Sequence, residues 1–115
     1  MIARLWRGWT NRANADAYEA LLVKEIFPTI LARRIAGFVD ISLARRDLAS
    51  EVEFLTIMLF ESLDAVRAFA GDDYATAVVP DAARALLARF DPTSAHYHVV
   101  RNRVGTPDER RDDRI

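Results

Sequence analysis

His96 and His98 are the two histidines of this 115-residue chain, and they stand two positions apart. In a β-strand that spacing puts both rings on one face. An imidazole titrates near neutral pH, so either ring can take a proton from a substrate or hold its hydroxyl. The plainer alternative is a pair of half-exposed rings on an edge strand or in a subunit seam. Two imidazoles can also share a metal, but they need a third ligand. No His-Glu-x-x-His run or dense acidic cluster accompanies them, so the expectation is no metal and no cofactor.

Trp6, Met58, Phe60 and Tyr74 are the residue types that line clefts for flat apolar ligands. Trp6 and Tyr74 each carry a polar atom that needs a partner when buried, whereas residues such as Met58 and Phe60, taken singly, are more often plain core. The candidate catalytic residues are therefore His96 and His98. The candidate substrate-binding residues are Trp6, Met58, Phe60 and Tyr74. Arg4, Arg7, Arg45 and Arg46 are further groups able to draw an anionic substrate, although a run such as Arg45-Arg46-Asp47 is more often a solvated loop. Asp72-Asp73 beside Gly71 reads as a helix cap. There is no glycine-rich phosphate loop, no serine elbow and no kinase signature.

The elements that must position these groups follow from periodicity. Ile2 to Thr10 nearly alternates, with Ala3, Leu5 and Trp9 on one face and Ile2, Arg4 and Trp6 on the other, which predicts a strand. From Ala15 the period becomes helical, through Tyr18, Leu21, Leu22, Glu25 and Ile26. Asn14 or Asp16 is the expected cap. Pro28 predicts a kink before the helix resumes from Thr29 and ends by Gly37. Phe38 to Leu43 alternates again, and Arg45-Arg46-Asp47 reads as a hairpin tip or extended loop. Glu51 to Phe60 is rich in β-branched and aromatic residues and is apolar on both faces after Glu53, the pattern of a central strand covered on both sides. Ser62 opens a helix with Leu63, Val66, Phe69 and Ala70 as its buried stripe. Tyr74 to Val79 suggests a short helical piece. Asp81 opens another helix, with Leu86, Leu87 and Phe90 on its stripe, and Ser94 to Val100 forms a last strand.

The order β-α-β-β-α-β predicts an α+β fold: a ferredoxin-like four-stranded antiparallel sheet with helices on one face. The second apolar face of the central strand needs its own cover, and a second copy of the chain is the economical one. Residues 1–103 are read as this single domain and 104–115 as a charged, disordered tail.

Composition sets the outer bounds. With 51% hydrophobic and 29% charged residues, the chain suits one domain with a real core. The absence of cysteine excludes disulfides, thiolate metal sites and cysteine nucleophiles. A net charge of -1 argues against a nucleic-acid surface. Arg4 and Arg7 interrupt the first ten residues, which argues against a signal peptide, and no stretch approaches the roughly 20 apolar residues of a bilayer span. A cytoplasmic protein with no membrane partner is expected.

The chain resembles the antibiotic-biosynthesis-monooxygenase family over about residues 1 to 101. The resemblance is carried by Glu25-Ile-Phe-Pro28, by Ile35-Ala-Gly37-Phe38 and by the junction Leu55-Thr-Ile-Met-Leu-Phe60-Glu-Ser62. That junction is similar to the family's Thr-x-Trp-x-Ser pattern, and the helix after it contains Ala65-Val66-Arg67-Ala68-Phe69. The resemblance implies a dimeric α/β barrel. It also implies one of the family's activities, which include cofactor-free oxygenation of polyketide anthrones, oxygenation of quinols and haem degradation. Phe60 stands where the haem-degrading branch has a tryptophan, and Tyr74 to Ala83 holds no histidine, which points away from haem. The expected function is a cofactor-independent oxygenase acting on a small aromatic polyketide or quinol. His96 or His98 would take the proton, while Trp6, Phe60 and Tyr74 hold the ring. The alternative is a non-catalytic homodimeric ligand-binding or stress-associated module.

Overall fold

A computed structural model describes residues 1–101 of the chain. The expected charged tail, 104–115, lies outside the described residues. The sheet contains β1 (Ile2–Asn11), β2 (Phe38–Asp47), β3 (Glu51–Phe60), β4 (Arg89–Phe90) and β5 (Ala95–His98). The helices are α1 (Ala15–Leu21), α2 (Phe27–Ala32), α3 (Leu63–Ala70) and α4 (Asp81–Leu86), with a π-helical turn, Leu22–Ile26, joining α1 to α2.

Every strand pairing is antiparallel, in the order β2-β3-β1-β4, and β5 also pairs with β1. This is the ferredoxin-like order expected, with its fourth strand split into β4 and β5. The long central ladder runs without a break from Ile2↔Phe60 to Asn11↔Glu51. Alternation then sorts the side chains. Ile2, Arg4 and Trp6 face the helices with Phe54, Thr56, Met58 and Phe60, while Ala3 and Leu5 face away with Leu55, Ile57 and Leu59.

Local chemistry explains most boundaries. The Ser62 side chain accepts from the Ala65 N–H at 3.2 Å and caps α3. Asn14 occupies the α1 cap position, but its side chain does not close the turn; the Asn11 Oδ1 accepts from the Asn14 N–H instead. Pro28 falls in the first turn of α2, where a missing N–H is harmless. The expected kink is thus a widened turn, in which the Phe27 N–H reaches back five residues to the Leu22 carbonyl.

Three expectations need correction. Arg45, Arg46 and Asp47 are not a hairpin tip but the end of β2, opposite Phe54, Glu53 and Val52. The hairpin closes beyond them, where the Leu48 N–H donates to the Glu51 carbonyl at 2.8 Å. Tyr74 to Val79 is not helical: its backbone is tied to the stretch before β5, through Ala77 N–H to the Pro92 carbonyl and Ser94 N–H to the Ala75 carbonyl. Finally, Leu87 and Phe90 leave the helix. Free carbonyls on the β1 edge capture the chain there, at Trp9 from Ala88 and at Arg7 from Asp91, so the helical spacing of the apolar residues yields to a strand.

The core has two centres. Tyr18, Phe54, Val52 and Ala83 pack at one end, and Phe60, Val66, Met58 and Ile2 at the other. A register shift between Phe38 and Asp40 brings the Phe38 ring edge-on to Phe60 at 5.8 Å. No helix among the described residues is long and apolar enough to cross a membrane.

Candidate functional site

Between the two core centres lies a cavity of about 70 Å³. The sheet contributes Arg4, Trp6, Ile41, Thr56 and Met58 to its lining, and the first helical layer contributes Tyr18, Leu22, Ile26, Phe27 and Ile30. Phe69, Val78, Val79, Pro80, Ala83 and Ser94 complete it. The lining is mostly apolar, and its only charged member is Arg4.

Arg4 is only 4% exposed, because alternation turns it inward from β1 beneath the helices. Its Nη1 donates to the Tyr74 carbonyl and lies 2.9 Å from the His96 Nε2. A guanidinium has no acceptor, so Nε2 must supply the lone pair, and the imidazole proton sits on Nδ1. His96 stands directly across the ladder from Arg4. Burial, assisted by the Arg4 charge, holds the His96 pKa below its ordinary value, so the ring is neutral at neutral pH. Burial likewise lowers the Arg4 pKa. The Phe69 ring lies 5.5 Å from the Arg4 guanidinium and gives it a cation–π contact.

The sequence-selected residues separate around this cavity. Trp6 and Met58 line it. The Trp6 Nε1 donates to the Asp91 carbonyl at 2.7 Å, which satisfies the polar atom that burial demanded. His96 stands behind Arg4, outside the lining, and the Tyr74 ring meets it edge-on at 5.0 Å. Phe60 is fully buried between Phe38 and Phe69 and belongs to the core. His98 shares the face of His96 but is exposed at the end of β5.

Ser94 and Phe69 are lining residues that the sequence reading did not select. The signal for Ser94 was available, since it lies two residues before His96 on the same face. Phe69 read only as part of a helical stripe. Burial keeps the Tyr18 hydroxyl protonated by raising its pKa. No group of three or more His, Cys, Asp or Glu among the described residues is placed to hold a metal ion.

No protein-family model and no curated protein sequence matches the chain. Solved structures do. One is an antibiotic biosynthesis monooxygenase, so described, from Bacillus cereus, with 13% identity, 90% of this chain and 97% of that chain covered, and a TM-score of 0.64. A second is the monooxygenase ActVA-Orf6 of Streptomyces coelicolor, solved in complex with nanaomycin D, at 17% identity, 91% and 92% coverage and a TM-score of 0.62. A variant of SnoaB, a cofactor-independent oxygenase from Streptomyces nogalater, aligns at 22% identity over 88% and 94% with a TM-score of 0.52. Over nine-tenths of its length, this chain has the ferredoxin-like fold of solved antibiotic biosynthesis monooxygenases.

Proposed function

We propose that the chain is a homodimeric, cofactor-independent oxygenase acting on a small flat aromatic of the anthrone or quinol type. The observation that carries this reading is the apolar cavity between sheet and helices, with Trp6 and Met58 in its lining, Arg4 as its one charged group, and His96 behind Arg4 at 2.9 Å. Likeness in fold to the monooxygenase ActVA-Orf6 and to a cofactor-independent oxygenase supports it.

The chemistry needs a base and a place for negative charge. A substrate oxygen pairs with Arg4 in place of Nε2, and the freed, neutral His96 takes the acidic proton. The carbanion then transfers electrons to dioxygen and a C–O bond forms. The peroxide collapses by losing water: an anthrone's ring methylene and dioxygen become a ketone carbonyl and water, while a quinol and dioxygen become a hydroxyquinone and water. The substrate supplies all four electrons, and no other reductant is required. A tricyclic ring exceeds the cavity, so its admission requires the walls to part.

Oxygen uptake by the purified protein with anthrone or hydroquinone tests the proposal. His96→Ala should lower turnover by about 100-fold or more, the ordinary worth of a general base. His98→Ala should leave it near the starting rate. Unchanged turnover in His96→Ala sinks the mechanism. The modest size of the cavity favours a second reading, a ligand-binding module without turnover, whose outcome is binding of the same aromatics with no oxygen consumed.

A further inference from the structure

Arg4 is the one buried arginine among the described residues. Arg7 pairs with Asp91 at 3.0 Å, Arg45 with Glu19 and Asp16, Arg46 with Glu53, Arg67 with Asp64 and Arg89 with Glu51. Each of these pairs has at least one well-exposed partner, where water already screens the charge. Arg12 and Arg33 are exposed and spend their donors on backbone carbonyls. Arg4 is buried, yet no carboxylate among the described residues pairs with it. Its two bonds use Nη1 alone, so the Nε and Nη2 donors have no partner among the described residues. A buried cation without a counter-charge is costly, and a fold keeps one where something else supplies the charge.

We infer that Arg4 is the specificity-determining residue of the cavity, and that the ligand it selects is a flat aromatic carrying an anionic oxygen. A guanidinium fork offers parallel N–H donors that match a carboxylate or phenolate oxygen. Ser94 also lines the cavity and is buried, and it brings a hydroxyl donor to the same lining. The apolar walls strengthen the pairing, because a charge interaction in a dry site is screened far less than in water. Neutral aromatics of the same shape leave Arg4 uncompensated and bind less well. The inference rests on reading the cavity as the substrate site.

Single-ring probes test it by isothermal titration calorimetry on the full chain. The pairs are 4-nitrophenol, above the pH at which it ionises, against 4-nitroanisole, and benzoate against benzamide. The first pair reports on phenolates and the second on carboxylates. At least one anion should bind about tenfold or more tighter than its neutral counterpart, a modest value for a desolvated charge pair. Arg4→Met should erase that preference with the fold intact by circular dichroism, and Arg4→Lys should keep part of it. Binding of all four probes with no preference in the wild type overturns the role of Arg4 while leaving the cavity reading standing. A preference that survives in folded Arg4→Met overturns it too. Failure of every probe to bind overturns both.

Discussion

The neutral His96 ring couples this protein's stability to pH in a definite direction. Its folded-state pKa lies below the ordinary 6.5, chiefly through burial and secondarily through Arg4. Well above 6.5 the ring is neutral in folded and unfolded chains alike and contributes no pH dependence. As pH falls through that value, the unfolded chain takes up the proton first, so stability declines until the folded-state pKa is passed. Below about pH 6.5, the urea midpoint of the wild type should therefore fall more steeply than that of His96→Gln. Equal slopes would show that the ring titrates in the folded state as it does in the open chain. Alternation alone put Ile2, Arg4 and Trp6 on one face of the first strand and His96 with His98 on one face of the last. Sequence could not show that Arg4 lacks a carboxylate, because that depends on where Asp91, Glu53 and Glu19 spend theirs.

Among the elements, the approach of β2 to α3 depends on one residue without a side chain. Gly37 has a φ of +83°, and a Cβ there would lie 2.7 Å from the Cβ of Ala65. Its carbonyl also accepts from the Glu61 N–H at 2.7 Å, so the backbone cannot retreat freely. Gly37→Ala should cost about 2–4 kcal/mol, combining left-handed strain with overpacking. Gly71 has a similar φ of +86° but open space around the missing Cβ, so Gly71→Ala should cost only the backbone part, about 1–3 kcal/mol. Denaturant unfolding of the two variants compares them directly, and equal losses would remove the contact argument. The elements that sequence reading placed well are those whose signal is local. β3 announces itself by β-branched and aromatic density, and α3 by its Ser62 cap. Leu86, Leu87 and Phe90 misled because helical spacing competed with the hydrogen-bonding edge of β1, a partner from the far end of the chain. Tyr74 to Val79 misled for the same reason, being held by Pro92 and Ser94 rather than by itself.

For the molecule as a whole, the sheet is unequal in its two faces. Helices cover one, while the other presents the cross-strand pair Leu5 and Ile57 beside Leu55 and Leu59, with Tyr97 at 57% exposure near its edge. We assign this second face to the homodimer contact proposed above. Ile57→Glu puts a charge at its centre without touching the helix-side core, and should halve the mass measured by sedimentation while the circular dichroism stays unchanged. A wild type that sediments as a monomer removes the proposal. The covered face holds a different kind of constraint. Tyr18, Leu22, Ile26 and Ile30 meet the cavity at a strict four-residue repeat, which overshoots a 3.6-residue turn by about 40° at each step. The wide turn at Leu22–Ile26 absorbs that overshoot and keeps the four side chains in line. Val23, Lys24 and Glu25 face solvent, so their identities are free to drift. Their number is not: losing one residue here rotates everything after it by about 100° and carries Ile30 off the cavity. Across related chains, this stretch should accept almost any substitution and almost no change of length.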